Sequence, residues 1–266
     1  PVDESGHLRV ELLNELISDR TRIMAVTHIS NVLGLINPVG EIIELCHSRN
    51  VPVFVDGAQG AVHCKVDVQE MDCDFYAFSG HKLYAATGTG VLYGKKKWLE
   101  AMPPYMGGGE MVGTVTFEET TYAPLPMKFE AGTQNLSSTP TLKPALEVVN
   151  LLNNNELTKN IDAIRDYLLE YFLKDERIRL YGVPRGTNEE KIPLFSFSVA
   201  GVHHEDLALI LDKMGIAVRS GQMCAEPLMN RFGVTGMLRV SFAPYNTVEE
   251  AEYFVKCLDR AIGMLM

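Results

Sequence analysis

Short apolar runs alternate with amphipathic stretches through the first hundred residues. The runs are four to six residues long and rich in β-branched or aromatic side chains, which is typical of buried strands. Helical spacing of apolar residues separates them, and this alternation predicts parallel βαβ units with helices on both faces of a sheet. The predicted strands cover residues 22–27, 51–55, 74–78 and 90–93, and the predicted helices cover residues 7–19 and 39–49.

The second half of the chain has fewer strands and longer helical patterns. A helical pattern runs from residue 140 to about residue 175, and the helix over 247–265 opens on Thr247, Val248, Glu249 and Glu250, close to a capping box. This region predicts a smaller α+β domain. The domain division expected from the sequence is 1–145 and 146–266. The remaining predicted elements are strands over 194–199 and 238–242 and a helix over 204–214.

Reactive side chains follow two of the predicted strands. Asp56 closes the second strand, and Lys82 comes after the third strand and a Ser-Gly-His turn. Ligands of parallel sheets gather at the carboxyl ends of strands. A carboxylate there can pair with a protonated pyridine nitrogen, and a partly unprotonated lysine can form a Schiff base with an aldehyde, so the pair suggests pyridoxal phosphate (PLP). Taken singly, Asp56 also fits an ordinary turn and Lys82 an ordinary surface lysine.

Composition narrows the class of protein. The chain has 266 residues, 46% apolar and 22% charged, which suits a globular protein with one large or two smaller domains. Its net charge of −10 argues against a nucleic-acid or membrane-surface partner. No apolar stretch reaches the roughly 18 to 20 residues of a membrane span. Five scattered cysteines without CxxC spacing argue against a metal site and favour a reducing compartment, here the cytoplasm.

Seven ordered segments together resemble a known family. The chain looks like a class V aminotransferase-type PLP enzyme of fold type I, and more narrowly like the Suf-type cysteine desulfurases, which include selenocysteine lyase-like members. The order and approximate spacing of the segments match that family across nearly the whole chain. The segments are THISNVLG (27–34), VFVDGAQ (53–59), DFYAFSGHKLY (74–84), GTGVLYGKK (88–96), FEAGT (129–133), RSGQMCAEPLM (219–229) and LRVSFAPYNTVEE (238–250).

The resemblance implies a set of cofactor-binding residues. Lys82 would carry PLP as a Schiff base and, once freed by substrate, act as a base at the α-carbon. Asp56 would pair with the pyridine nitrogen, and Gln59 would contact the phenolic oxygen. Ser79 and His81 would hold the phosphate.

The same resemblance implies the substrate side of the site. Thr133 would reach the phosphate of a neighbouring subunit, which makes the expected enzyme a homodimer. Asn31 would lie near the substrate carboxylate, and Arg239 would clamp it in a bidentate way. Cys224 would take sulfur from L-cysteine as a persulfide, release L-alanine, and pass the sulfur to an acceptor protein for iron–sulfur cluster assembly. The other thiols, expected to pack in the fold, are Cys46, Cys64, Cys73 and Cys257.

Two departures from the family bear on activity. The family string before the cysteine carries two histidines, and here Gln222 and Met223 occupy those positions, which predicts altered activation of the Cys224 thiol or a different acceptor. Roughly the first third of a family member, with its phosphate-binding turn and ring-stacking residue, is absent from this sequence. The alternative functions are therefore a selenocysteine lyase, another class V aminotransferase or lyase, and a catalytically silent binding module.

Overall fold

The computed structural model describes residues 1–153 and 155–266. The chain divides into two compact units. The first, named the parallel unit, comprises Ile17–Thr27 and Val39–Val149. The second, named the antiparallel unit, comprises Pro1–Leu16, His28–Pro38 and Asn150–Met266.

Ten strands and ten α-helices are found in the described residues. The strands are β1 (Met24–Thr27), β2 (Val53–Asp56), β3 (Phe75–Ser79), β4 (Gly90–Gly94), β5 (Val112–Val115), β6 (Thr120–Tyr122), β7 (Ile178–Tyr181), β8 (Leu194–Val199), β9 (Arg219–Gly221) and β10 (Met237–Ser241). The helices are α1 (Leu13–Leu16), α2 (Val39–Ser48), α3 (Gly60–His63), α4 (Val68–Met71), α5 (Lys96–Ala101), α6 (Leu142–Leu152), α7 (Asn155–Lys174), α8 (His204–Lys213), α9 (Glu226–Phe232) and α10 (Val248–Leu265).

The parallel unit is built on a four-stranded sheet in the order β1-β2-β3-β4. The pairs β1–β2 and β2–β3 are parallel, whereas β4 runs antiparallel to β3. Val53 and Val55 of β2 are fully buried, and Ile42 and Ile43 of α2 are also buried. The predicted α/β class with a mainly parallel sheet is thereby confirmed.

The antiparallel unit carries its own sheet, in the order β7-β8-β10-β9 with every pair antiparallel. Its core includes a group of phenylalanines, in which Phe172 of α7 packs at a tilt against Phe195 and Phe197 of β8 with centroid distances of 5.3 and 4.8 Å. Thr247 and Glu250 form the capping box that the sequence indicated at the start of α10. Among the described residues, no helix has both the length and the apolar character needed to cross a bilayer.

The helix predicted over residues 7–19 is wrong. The structure has only a 3₁₀ turn over Val10–Leu12 and the single turn of α1 instead of a helix over 7–19. Leu16 is exposed, and the chain before it pairs with itself through the Val2–Leu8 bridge. Of the apolar residues in this segment only Val10 and Ile17 are buried, and Leu8 is held in the bridge, so their helical spacing gives no continuous buried face that would sustain a helix.

A buried carboxylate forms hydrogen bonds at the end of the parallel sheet where β2 and β3 begin. Asp74 is 1% exposed, and its carboxylate accepts hydrogen bonds from Trp98 Nε1 at 2.6 Å and Val53 N at 2.9 Å. His47 Nε2 lies 2.8 Å from Asp74 Oδ2, and Lys95 Nζ lies 3.7 Å from Asp74 Oδ1. Burial by itself would raise the pKa of Asp74, but these hydrogen bonds outweigh it and hold the pKa below its ordinary value.

Asp74→Asn in the full-length protein is expected to lower the free energy of unfolding by about 1–3 kcal/mol at pH 7, since buried donors then lose a charged acceptor. The folded-state pKa of Asp74 lies below its unfolded value of about 3.9, so this contribution is complete above that value and is lost as the pH falls through the folded-state pKa. Urea unfolding at pH 7 and at about pH 2.5 measures both effects, with the exposed Asp19→Asn as control. Equal acid sensitivity in Asp74→Asn and the parent protein would contradict this account.

Candidate active site

The carboxyl ends of β1, β2 and β3 place three residues side by side. Asp56, the last residue of β2, pairs with Thr27 of β1 and with Ala77 of β3. Its side chain is exposed at this edge, and Asp56 Oδ1 accepts a hydrogen bond from Ala58 N at 2.9 Å. The local turn therefore fixes the carboxylate and leaves its second oxygen for a ligand.

Close packing explains the turn after Asp56. A Cβ atom on Gly57 would overlap the ring of Tyr76, so the backbone passes where only glycine fits. Gly57 N donates to Ala77 O at 2.8 Å, which ties the turn to β3. Gln59 follows at the start of α3 and is half-buried, so the spacing read from the sequence brings it to the same edge as Asp56.

The end of β3 carries the predicted lysine. The strand ends at Ser79 and passes into a 3₁₀ turn over Gly80–Leu83, in which Leu83 is fully buried and anchors the turn. Gly80 N donates to Thr89 O at 2.9 Å, and a Cβ on Gly80 would strike the Thr89 hydroxyl. The anchored turn leaves Lys82 half-buried beside Ser79.

Three side chains at this turn are available to a ligand. No hydrogen bond or ion pair to the side chains of Ser79, His81 or Lys82 is found across residues 1–153 and 155–266. A hydroxyl, an imidazole and an amine grouped at a strand end suit an anionic cofactor that carries an aldehyde. With the carboxylate of Asp56 on the neighbouring strand, the donor set fits PLP.

Thr133 lies elsewhere in the parallel unit. It is exposed and follows Gly132, whose N–H donates to Gly109 O at 2.9 Å and whose φ is +74°. The segment is thus tied to the glycine-rich stretch before β5. Its predicted role at the phosphate of a neighbouring subunit stays a prediction.

The antiparallel unit holds the predicted carboxylate clamp. Arg239 of β10 donates from Nη1 to Asn31 O at 2.7 Å, while its buried Nε has no hydrogen-bond partner among the described residues. Burial lowers the pKa of Arg239, and the neighbouring charge of Arg219 lowers it further. A guanidinium stays protonated under these conditions. Its unused donors are suited to a carboxylate.

Asn31 connects this clamp to the cysteine turn. Its Nδ2 donates to Met223 O at 3.0 Å, while its main-chain carbonyl accepts a hydrogen bond from Arg239. One N–H of the amide is therefore committed within the protein, and one is left for a ligand. The sequence indicated a ligand contact for Asn31 but not this second, structural one.

Cys224 is presented by a turn with an unusual backbone. Gly221, Met223 and Cys224 all have positive φ, at 107°, 55° and 60°. The Cys224 side chain is exposed, and Arg219 Nη2 lies 3.8 Å from its sulfur. The thiolate is the nucleophilic form of cysteine, and this arrangement places a cation beside the sulfur that would carry its charge.

The other four thiols lie in less reactive settings. Cys46, Cys73 and Cys257 are buried, and Cys64 is half-buried. Burial raises the pKa of Cys46 and Cys64, and it raises that of Cys73 to about 11. Cys224 is therefore the exposed thiol, and the other four cysteines lie wholly or partly within the fold.

The structure gives the two residues before Cys224 different roles. Met223 is 2% exposed and packs against a cluster that includes Val32, Leu33 and Phe232, whereas Gln222 is exposed. A left-handed residue costs roughly 1–2 kcal/mol, and burying a methionine side chain contributes about 1.5–3 kcal/mol. Burial of Met223 thus offsets the strain of the turn. Of these two positions, only 222 leaves its side chain outside the core, where a charged group could act on the thiol.

The two histidine replacements are expected to differ. Gln222→His places a solvated imidazole near Cys224, and its alkylation by iodoacetamide is expected to accelerate a few-fold when the imidazole is protonated, below about pH 6.5. Met223→His buries a polar ring, so we expect a stability loss of about 1–3 kcal/mol without faster alkylation. Alkylation rates measured between pH 5.5 and 8 in full-length variants that retain Cys224 as their one cysteine, together with urea unfolding, test both. Faster alkylation in Met223→His alone would overturn the assignment.

Known proteins resemble this chain along its full length. Residues 1–254 match the family described as aminotransferase class-V. A probable cysteine desulfurase from Vibrio cholerae is 42% identical over 265 residues, and a cysteine desulfurase from Escherichia coli is 43% identical over 266 residues. Both alignments cover 100% of this chain but 64% of the relative, so the chain spans less than two thirds of the length of these relatives.

Solved structures agree with the sequence matches. The crystal structure of the cysteine desulfurase CsdA from Escherichia coli has a TM-score of 0.91 and 43% identity, covering 100% of this chain and 65% of that one. The apo structure of a cysteine desulfurase from Thermococcus onnurineus has a TM-score of 0.90 and 31% identity, covering 99% and 65%. These matches confirm the resemblance inferred from the sequence and the fold expected from it. The chain belongs to the class V aminotransferase family.

Proposed function

We propose that the full-length protein is a PLP-dependent cysteine desulfurase that converts L-cysteine to L-alanine and leaves a persulfide on Cys224. One observation carries the choice of reaction within the family, namely the exposed Cys224 thiol 3.8 Å from the Arg219 guanidinium. An aminotransferase has no need of such a thiol. Relatives named cysteine desulfurase at about 43% identity support the same choice.

The parallel unit supplies the residues that would hold the cofactor. Lys82 would bind PLP covalently, Asp56 would pair with its ring nitrogen, and Gln59 would donate to its phenolic oxygen. Ser79 and His81 would bind the phosphate, for which their side chains, unpaired among the described residues, are suited. When bound, PLP withdraws electrons from the substrate carbons. The amine of Lys82 is the group that would take and return a proton at the α-carbon.

The antiparallel unit supplies the residues that would act on the substrate. Arg239 would bind the carboxylate of L-cysteine with its unused donors, and the remaining amide N–H of Asn31 would add a contact. The Cys224 thiolate would attack the substrate sulfur. One S–S bond forms as the substrate C–S bond breaks, and the carbon skeleton leaves as alanine after protonation. No external oxidant is needed, because the sulfur atom that Cys224 gains comes from the substrate.

We further propose a homodimer, a protein acceptor for the persulfide sulfur that serves iron–sulfur cluster assembly, and a cytoplasmic location. Fully exposed apolar side chains on the β5–β6 hairpin, notably Phe117, and on the stretch before it, notably Tyr105, support a partner surface on the parallel unit. The exposure of Cys224 supports transfer to another protein. Five free cysteines support a reducing compartment.

The direct test is turnover of L-cysteine and L-selenocysteine by the full-length protein, with alanine, sulfide and selenide quantified. Alanine production from L-cysteine, with sulfur trapped on Cys224, is the expected result. Alanine from L-selenocysteine alone would favour a selenocysteine lyase. Absence of both products, together with no absorbance change on adding PLP, would favour a silent binding module instead.

A further inference from the structure

Four consecutive carbonyl groups in one loop are each bound by a donor of the antiparallel unit. The loop, named the 31–34 loop, runs from Asn31 to Gly34. Its donors come from β8, from β10 and from the residues that lead into β8, so the sheet fixes its path. The pairs are Arg239 Nη1 to Asn31 O at 2.7 Å, Ser196 Oγ to Val32 O at 2.5 Å, Lys191 Nζ to Leu33 O, and Ile192 N to Gly34 O at 2.9 Å.

Lys191 is the unexpected member of this set. Its side chain is 1% exposed, and its Nζ lies 5.3 Å from the ring centroid of Phe195. Burial lowers the pKa of Lys191 to about 7. Burying an amine is costly unless it makes a hydrogen bond, and here the bond goes to the 31–34 loop. A methionine would fill similar space without that cost, so the amine points to a specific role.

The 31–34 loop links the carboxylate clamp to the cysteine turn. Asn31 is the first residue of this loop. Its main-chain carbonyl accepts a hydrogen bond from Arg239, and its side chain donates one to Met223 O. Val32 and Leu33 also pack in the apolar cluster that buries Met223. A shift of Leu33 would therefore displace Asn31 and Arg239, the groups that would meet the substrate carboxylate.

We propose that Lys191 is a positioning residue for the carboxylate-binding pair of Asn31 and Arg239, acting through its bond to the Leu33 carbonyl. The role deepens the proposed function and rests on it. Lys191 touches no substrate, since its amine is enclosed by the loop and by β8. Its effect falls on substrate affinity, while the proton transfer at Lys82 proceeds unchanged.

The test compares Lys191→Met and Lys191→Arg in the full-length holoenzyme, with exposed Lys213→Met on α8 as control. Lys191→Met is expected to raise KM for L-cysteine about tenfold with kcat changed less than about twofold, the size of one misplaced hydrogen bond. Lys191→Arg, which keeps a donor, recovers part of the loss. Lys213→Met changes neither constant. Unchanged KM in Lys191→Met, or a loss confined to kcat, would overturn the role.

A second measurement does not depend on turnover. Amide hydrogen exchange at Ser30 and Gly34, whose N–H groups bond to Leu35 O and Ser30 O, is expected to quicken in Lys191→Met and not in Lys213→Met. Calorimetric affinity for L-alanine, the proposed product, falls in parallel. If the parent protein does not turn over L-cysteine, the proposed function fails, yet hydrogen exchange still decides whether Lys191 fixes the loop. Should Lys191→Met not fold, Lys191→Gln serves in the same measurements, and unaltered exchange in a folded variant refutes the role.

Discussion

Replacing Lys82 with alanine in the full-length protein is expected to reduce alanine production from L-cysteine by at least about a thousandfold. Lys82 follows β3 on a turn anchored by Leu83, and its amine has no partner in the described parts of the chain. The change removes both the covalent attachment of PLP and the group that would move the α-proton. The absorbance band of the bound cofactor is expected to disappear or shift with the activity.

A matched control distinguishes this loss from a general loss of charge. Lys143 lies exposed on α6 of the same unit, and Lys143→Ala is expected to leave both activity and absorbance unchanged. Cofactor content measured after gel filtration separates weak binding from failed chemistry. A Lys82→Ala protein that retained the parent absorbance and a tenth or more of the parent turnover would contradict the assignment of Lys82.

Cys224→Ala is expected to lower alanine release from L-cysteine by at least about a hundredfold while the absorbance of bound PLP stays at the parent level. The exposed thiol beside Arg219 is the proposed nucleophile toward the substrate sulfur, and alanine has no group to replace it. Mass spectrometry of the parent protein after a single turnover is expected to find one added sulfur on the peptide that contains Cys224.

Cys64→Ala is the control, because Cys64 is half-buried and burial raises the pKa of its thiol. It is expected to keep full activity and the persulfide. Retained alanine release from L-cysteine in Cys224→Ala would show that the reaction does not use this thiol, and would favour another class V lyase or aminotransferase. Loss with L-cysteine but retention with L-selenocysteine would favour a selenocysteine lyase.

The two arginines show where sequence patterns stop being informative. Arg239 was predicted from its segment, but its pairing with Arg219 across β9 and β10 depends on a three-residue strand too short to carry a periodic signal. The register of the sheet places the two charges side by side. Burial and then the repulsion from Arg219 lower the pKa of Arg239, and the same arrangement brings Arg219 to the Cys224 sulfur.

Residues 222 and 223 illustrate the same limit. From the sequence, both looked like lost histidines and therefore like a loss of charge beside Cys224. The backbone turns at Met223 with a φ of 55°, which directs that side chain into the apolar cluster and leaves Gln222 outside. A one-residue change of direction in a turn is invisible to spacing, yet it decides which position can influence the thiol.

The sequence alone determined the alternation of strands and helices, the placing of Asp56 and Lys82 at strand ends, and the family resemblance. These follow from local periodicity and from residue types that only certain chemistry requires. Tertiary structure alone decided that Lys191 is buried against the 31–34 loop and that Asp74 and Asp56 lie at opposite ends of the sheet's strands. It also decided that Lys82 stands on an anchored turn where its amine has no partner among the described residues. Those outcomes depend on contacts between residues distant in the chain, where burial and hydrogen bonding override local preference.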